Sequence, residues 1–124
     1  MPGSKAPPQI IEHLCDALSA LGTVEPRAMF GGWGLYLDGV MFGLVHGDEA
    51  YFRADEVTRH EYESLGLTRF KPWDDKPATM PYYPLPPDLF DDSDLMLAWA
   101  GQALEAARRA RTKKGGKKTK NANS

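Results

Sequence analysis

The sequence predicts an α+β fold, in which helices pack on one face of an antiparallel β-sheet in the order helix, strands, helix, strands, helix. Apolar residues recur at helical spacing near both ends of the chain and alternate with polar residues in short runs between them. The turns between these runs are too short for the crossover helices that parallel strands require. A length of 124 residues is typical of one domain.

The first helix is predicted over residues 8–21. Pro8 suits the first turn of a helix, and Gly22 suits the position just after its end. The apolar residues that share one face of this helix are Ile10, Ile11, Leu14, Ala17, Leu18 and Leu21.

Four short strands are predicted next, as an antiparallel meander. Asp38-Gly39 lies between two alternating apolar runs and is the strongest short signal for a β-hairpin. Gly47-Asp48 predicts a second tight turn. The strands delimited in this way span residues 23–29, 34–37, 40–45 and 49–53.

A glycine-rich corner precedes the hairpin. Gly31, Gly32 and Gly34 can take positive φ or lie close to a neighbouring backbone, so we expect them to serve the fold. The corner lacks the lysine and the following helix of a phosphate-binding loop. Arg27 beside it can pair with a carboxylate, stack on Trp33 or hold an anionic ligand.

A second helix is predicted over residues 55–65. Thr58 and Glu61 have the spacing of a capping box, and Gly66 is a natural stop. A strand pair is then expected, formed by residues 69–73 and 79–83. Three prolines are expected to exclude regular structure after it: Pro84, Pro86 and Pro87.

The last helix is predicted over residues 94–111, with Asp92 or Ser93 as its cap. The arginines near its end complement the helix dipole. Alternation along the strands and helical spacing at the end of the chain predict one core that contains Phe30, Tyr36, Phe42 and Trp99.

Charge is distributed unevenly along the chain. The net charge is −2, but the eight residues Arg108, Arg109, Arg111, Lys113, Lys114, Lys117, Lys118 and Lys120 are basic, and no acidic residue follows Arg108. Residues 1–107 therefore hold 7 basic and 17 acidic residues, a balance of −10. We expect a disordered N-terminus over residues 1–8, a domain over 9–111 and a disordered basic tail over 112–124.

The sequence gives little support for catalysis. Cys15 and the three histidines show no zinc-ligand spacing, and the nucleophile elbow Gly-x-Ser-x-Gly is absent. The aspartates of residues 74–75 and 91–94 fit turns and helix caps better than an acid–base pair. We therefore expect no enzyme, no metal and no cofactor.

Two groups of residues are candidates for partner contacts. Trp73, Tyr82 and Tyr83 form either an exposed patch for a protein partner or a packed sheet edge. The tail is either an arm for nonspecific nucleic-acid binding or a solubilising extension. Its candidate contacts to phosphates are Lys113, Lys114, Lys117, Lys118 and Lys120.

Composition also predicts the compartment. A single cysteine fits a reducing cytoplasm. Residues 1–9 contain no apolar run, so we expect no signal peptide. The apolar stretches are far shorter than the roughly 20 residues of a membrane helix, so we expect no membrane contact.

The segment from Arg27 to Phe42 carries a specific pattern. It reads R-x-M-F-G-G-x-G-x-Y-x-D-G-x-M-F and resembles the N-terminal domain of the TfoX/Sxy proteins, which regulate natural competence in bacteria. The resemblance extends over about residues 9–110. Its other supporting segments are Tyr51-Phe52-Arg53, Phe70-Lys71, Met80-Pro81-Tyr82-Tyr83 and Leu95-Met96-Leu97-Ala98-Trp99-Ala100.

The resemblance implies a small α+β domain without a known active site. It implies a non-enzymatic regulatory or protein-interaction module that acts with a transcription factor, with Arg27, Gly31, Gly32, Trp33 and Gly34 as candidate contacts. Full-length members carry a second, C-terminal helical domain where this chain has its basic tail, so a stand-alone N-terminal domain is expected. The alternative is a nucleic-acid-associated accessory protein that uses the tail.

Overall fold

The computed structural model describes residues 9–29, 31–72 and 78–123, with side chains as far as Thr112. The predicted α+β order of helix, strands, helix, strands and helix is confirmed. Its elements are α1 (Gln9–Ala17), β1 (Glu25–Met29), β2 (Gly32–Leu37), β3 (Val40–His46), β4 (Glu49–Arg53), α2 (Arg59–Glu63), β5 (Tyr82–Pro84), a 3-10 helix (Pro87–Asp91) and α3 (Ser93–Asn123).

The strands form one antiparallel meander in the order β1-β2-β3-β4-β5. Both residues of the β2–β3 turn are left-handed, with φ of 53° at Asp38 and 78° at Gly39. This is the backbone that a type I′ hairpin requires, so the predicted hairpin is confirmed. The turn from β3 to β4 begins at Gly47, whose φ is 61°.

A β-bulge in β3 decides which residues reach the core. Leu35 pairs with Gly43, but Tyr36 pairs with Met41, so Phe42 is an extra residue on its strand. Side chains on a strand normally point to opposite faces in turn, so one extra residue reverses which positions of β3 face the core on the two sides of the bulge. Phe42 and Val45 therefore both join the core.

The core lies between the sheet and the helices. Phe42 and Phe52 are fully buried, with ring centroids 6.2 Å apart. The helix α3 packs against β3 and β4, and α1 packs beside α3. The buried residues that α3 contributes are Met96, Ala100, Ala103, Leu104, Ala106 and Ala107.

The expectation of a core shared by four aromatic residues is partly wrong. Phe42 is buried, and Trp99 is partly buried with its ring edge-on to Tyr62 at 4.9 Å. Tyr36 lies on the opposite face of the sheet, because its neighbours Leu35 and Leu37 both point into the core. Phe30 lies outside the described residues.

The capping box of α2 begins three residues earlier than predicted. Thr58 makes no side-chain cap to α2. Instead, Asp55 Oδ1 accepts the backbone N–H groups of Val57 and Thr58 at 3.0 and 3.3 Å, and Thr58 Oγ1 accepts the Asp55 N–H at 3.2 Å. The Thr58 hydroxyl thus bonds on its N-terminal side, so Asp55 caps the turn that leads into α2, and the pairing of Thr58 with Glu61 is wrong.

The predicted end of α2 at Gly66 is confirmed. Gly66 has a φ of 82° and donates its N–H to the Glu63 carbonyl at 3.0 Å. The next residue, Leu67, donates to the Tyr62 carbonyl at 3.2 Å. Together these two bonds form a Schellman motif, which requires a left-handed residue at this position.

The segment after α2 differs from the predicted strand pair. Phe70 and Met80 share one isolated bridge, while β5 pairs with β4. Pro84 ends β5, which is tolerated because a proline at the edge of a sheet needs no ladder donor. Pro87 occupies the first turn of the 3-10 helix, so the expectation that Pro84 and Pro87 exclude regular structure is wrong.

The cap of α3 is Asp92, one of the two predicted residues. Its Oδ1 accepts the Leu95 backbone N–H at 3.1 Å. The helix continues to Asn123, beyond the predicted end at residue 111. Side chains after Thr112 lie outside the described part, and a disordered basic tail stays a prediction. Among the described residues, no helix is long and apolar enough to cross a membrane.

One ion pair ties the cap of α2 to α3. Arg109 Nε donates to Asp55 Oδ2 at 2.7 Å, and Arg109 Nη2 donates to Oδ1 at 3.1 Å. This bond to Arg109, aided by the N–H groups of Val57 and Thr58 and opposed by burial, lowers the pKa of Asp55. Asp55 therefore holds its charge while it joins two helices.

We expect Asp55→Asn to destabilise the domain at neutral pH and to matter less in acid. Asparagine keeps the cap but removes the charge, which should cost roughly 1–2 kcal/mol because solvent partly screens the pair. Since the folded-state pKa of Asp55 is lowered, its stabilisation is full above the unfolded pKa of about 4 and is lost as the pH falls through the folded value. Denaturant unfolding at several pH values measures this.

The matched control is Asp38→Asn. The Asp38 carboxylate is exposed and lies 3.9 Å from Arg108, so its loss should leave stability almost unchanged. An Asp55→Asn deficit of the same size at pH 3 and pH 7 would contradict the assignment to charge.

Candidate functional site

The glycine corner, formed by Gly31, Gly32 and Gly34, is built by backbone geometry. Gly31 has a φ of 77°. A Cβ on Gly32 would overlap the Val45 carbonyl oxygen of the neighbouring strand, and that backbone atom has no freedom to move away. A Cβ on Gly34 would lie 2.9 Å from Met29 Sδ, a flexible side chain. These contacts agree with the expected role in the fold.

Of the three predicted roles of Arg27, the structure shows one, the pairing with a carboxylate. Its guanidinium pairs with Glu25 at 3.3 Å, with both side chains more than half exposed. The guanidinium carbon also lies 4.4 Å from the centre of the Tyr36 ring. Pairing with a carboxylate is thus confirmed, and stacking occurs on Tyr36, where Trp33 was expected. This difference arises because Arg27 and Tyr36 share the sheet face away from the helices.

That face carries a line of residues that we call the Arg–Tyr row: Arg27, Tyr36, Met41, Arg53 and Tyr82. The guanidinium carbon of Arg53 lies 5.6 Å from the centre of the Tyr82 ring. Burial raises the pKa of Tyr82, a hydrogen bond with Arg53 lowers it in part, and Tyr36 raises it further. The Tyr36 hydroxyl is therefore close enough to Tyr82 for its charge to affect the Tyr82 pKa. None of the five residues of the row belongs to the core cluster between the sheet and the helices.

Of the two alternatives for Trp73, Tyr82 and Tyr83, the exposed patch is wrong for the two tyrosines, which are packed and only 3% and 2% exposed. Tyr83 faces the helices, where it stacks on Tyr62 and donates its hydroxyl to Glu63 at 2.6 Å. Tyr82 faces the other way, beneath Arg53. Successive strand residues alternate between faces, so the two tyrosines cannot share a patch. Trp73 lies outside the described residues.

A small apolar pocket adjoins the glycine corner. It encloses about 230 Å³ and is lined by Gly31, Gly32 and Trp33, together with Leu44, Phe70 and Met80 among others. Phe70 reaches it by packing on His46 and Tyr51, with ring centroids 5.4 and 4.8 Å apart. Sequence reasoning missed this pocket, because residues far apart in the chain form it.

Two side chains with nucleophilic atoms, Cys15 and Tyr51, have raised pKa values. Burial, followed by the charges of Asp16 and Glu12, raises the pKa of the Cys15 thiol, so it stays protonated at neutral pH. Burial and a hydrogen bond to Glu49 raise the pKa of Tyr51 to about 12. Within residues 9–29, 31–72 and 78–112, no three His, Cys, Asp or Glu side chains cluster as metal ligands would.

The five tail lysines named above as candidate phosphate contacts lie outside the described side chains. Their role stays a prediction. The surface that the structure does describe around the sequence motif is the Arg–Tyr row with the apolar pocket beside it.

We expect Gly31→Ala and Gly32→Ala to lower the free energy of unfolding. Gly31→Ala forces a left-handed alanine, at a cost of about 1–2 kcal/mol. Gly32→Ala pushes a methyl group into backbone, which should cost roughly 1–3 kcal/mol or more. Thermal and denaturant unfolding measure both changes.

Gly101→Ala is the matched control. A methyl group there meets open space in α3, and alanine is the better helix former by about 1 kcal/mol, so this variant should be more stable than the parent. Parent-like stability of both corner variants would contradict the structural role of the corner.

Comparison with known proteins shows which family this chain belongs to. Over 60 residues, 48% of this chain, the sequence is 37% identical to the DNA transformation protein TfoX1 of Aliivibrio fischeri. The matched segment is 29% of that protein, so the chain spans less than a third of this relative's length. The pattern of the TfoX N-terminal domain matches residues 16–107, which contain the glycine corner and the whole Arg–Tyr row. The chain belongs to the TfoX N-terminal domain family.

Proposed function

We propose that this protein is a non-enzymatic regulatory module of the cytoplasm, which binds a protein partner through the Arg–Tyr row and acts with a transcription factor. The observation that carries this proposal is the row itself. It combines arginine, tyrosine and methionine side chains on the sheet face opposite the core, where Tyr82 itself is buried and Arg27, Tyr36, Met41 and Arg53 are at least partly exposed. These residue types are enriched in protein interfaces and among their energetic hot spots.

Membership of the TfoX N-terminal domain family supports a regulatory function. A relative that is named as a DNA transformation protein is 37% identical to this chain over 60 residues. The raised pKa values of Cys15 and Tyr51 favour binding over chemistry, because catalytic groups need pKa values close to the working pH. Cys15 is a free thiol, which is consistent with a reducing compartment.

The apolar pocket gives the partner an anchor. It lies beside the row and, at about 230 Å³, has the size of one or two large side chains rather than of a drug-sized ligand. An interface centred here would combine an apolar anchor with an arginine rim, which is the usual arrangement.

The double variant Arg27→Ala/Tyr36→Ala should lose the partner and keep its fold. The exposed cation–π pair is worth only about 0.5–1 kcal/mol to stability, whereas removing interface hot spots should cost at least roughly tenfold in affinity. The measurement is capture from a nuclease-treated extract of the source organism, with mass spectrometry and a melting curve of each variant.

Arg108→Ala serves as the control, because this arginine is also exposed and also pairs with a surface aspartate. It should capture the same proteins as the parent. If the row variant retains every protein that the parent captures, the row is not the docking surface.

A second candidate function is nonspecific nucleic-acid binding through the tail. Eight basic residues and no acidic residue follow Glu105, whereas the rest of the chain is strongly acidic. Such a tail neutralises phosphates and releases counterions, which gives affinity without base selectivity.

Replacing the five tail lysines by glutamine should abolish such binding and leave the melting temperature unchanged. For the parent, we expect DNA affinity to fall steeply with salt and to vary little with base sequence. Fluorescence anisotropy with labelled duplexes measures both. Absence of binding by the parent near 20 mM salt, where screening is weak, would rule out this function.

A further inference from the structure

A cleft of about 430 Å³ lies between the segment that follows β4, the helix α2 and the C-terminal part of α3. Four arginines line it, from four different parts of the chain: Arg53, Arg59, Arg69 and Arg109. No lysine is among its lining residues. The fold thus brings together cations that the sequence keeps apart.

This clustering runs against the charge of the domain. Residues 1–107 hold only 7 basic residues against 17 acidic ones, yet Arg53, Arg59 and Arg69 all reach one cleft. Like charges that are brought close together repel each other, so such an arrangement is costly unless an anion offsets it.

The carboxylates around the cleft are already engaged or exposed. Asp55 is held by Arg109 in the bidentate pair described above. Glu63 accepts the Tyr83 hydroxyl at 2.6 Å. Glu56 also lines the cleft and is exposed. No described residue forms an ion pair with Arg59 or Arg69.

Two further observations locate the available donors. Burial and the bond to Glu63 raise the pKa of Tyr83, while Arg69 and Arg59 oppose that rise, so both guanidinium groups act on the same point of the cleft wall. In addition, Arg53 Nε is buried and makes no hydrogen bond to any described residue. Buried donors without an acceptor are rare in folded proteins.

We propose that this cleft binds a phosphate group, free or as part of a small phosphomonoester, with Arg59 and Arg69 as its main contacts. The guanidinium fork matches the paired oxygens of phosphate, which fits a cleft whose basic residues are all arginines. The volume falls within the range of small-ligand sites. Arg59 and Arg69 lie outside the Arg–Tyr row, although Arg53 belongs both to that row and to the lining of the cleft.

The test is isothermal titration of the full chain with inorganic phosphate, in buffers matched in ionic strength with chloride. The parent should bind, and Arg59→Gln/Arg69→Gln should weaken binding by roughly tenfold or more. Arg109 stays unchanged, because its pair with Asp55 stabilises the fold. Melting curves establish that each variant is folded.

The matched control is Lys113→Gln/Lys114→Gln, which removes the same charge from the tail. It should bind phosphate as the parent does. If the glutamine variant of the cleft does not fold, Arg59→Lys/Arg69→Lys tests the same contacts, because it keeps the charge and removes the forks, and it should also lose affinity.

Three results would overturn the proposal. The first is no heat of binding at about 10 mM phosphate, tenfold above a millimolar Kd. The second is an equal loss in the cleft and tail variants, which would mean attraction by overall charge. The third is tight binding of short DNA that the cleft variant retains while phosphate does not compete, which would place the phosphate contacts on the tail.

Discussion

The packing of α3 against β3 and β4 is the contact on which the rest of the domain depends. Alanines on its inner face let the helix approach the sheet closely, so that Phe42 and Phe52 are fully buried beneath it. The same helix presents Arg109 to Asp55, the residue that caps α2. One packing interface therefore fixes the core, the start of α2 and the wall of the arginine cleft.

The family pattern has two kinds of residues with different physical roles. Gly31 and Gly32 are required by a left-handed backbone and by the closeness of β3, so their presence reflects the fold. Arg27 and Tyr36 make only exposed contacts with each other, which contribute little to stability. Residues that the fold does not need are the better candidates for binding, and Arg27 and Tyr36 of the Arg–Tyr row are such residues.

The errors in the sequence-based interpretation all concern the direction in which a side chain points or bonds. The capping box was placed at Thr58 because spacing alone cannot show on which side its hydroxyl bonds. Tyr82 and Tyr83 were grouped by proximity in sequence, although neighbours on a strand face opposite ways. Tyr36 was assigned to the core from alternation along its strand, but its neighbours Leu35 and Leu37 are the buried residues, so Tyr36 lies on the opposite face.

The sequence by itself determined the α+β class, the two hairpin turns, the caps at Asp92 and Gly66 and the Gly-rich corner, because each depends on residues that are adjacent or one helical turn apart. Tertiary structure alone decided the bulge that brings Phe42 and Val45 to the core, the stacking of Arg27 on Tyr36, the apolar pocket and the arginine cleft. These features join distant segments, and their geometry follows from the register of the strands and the packing of α3, which local patterns do not encode.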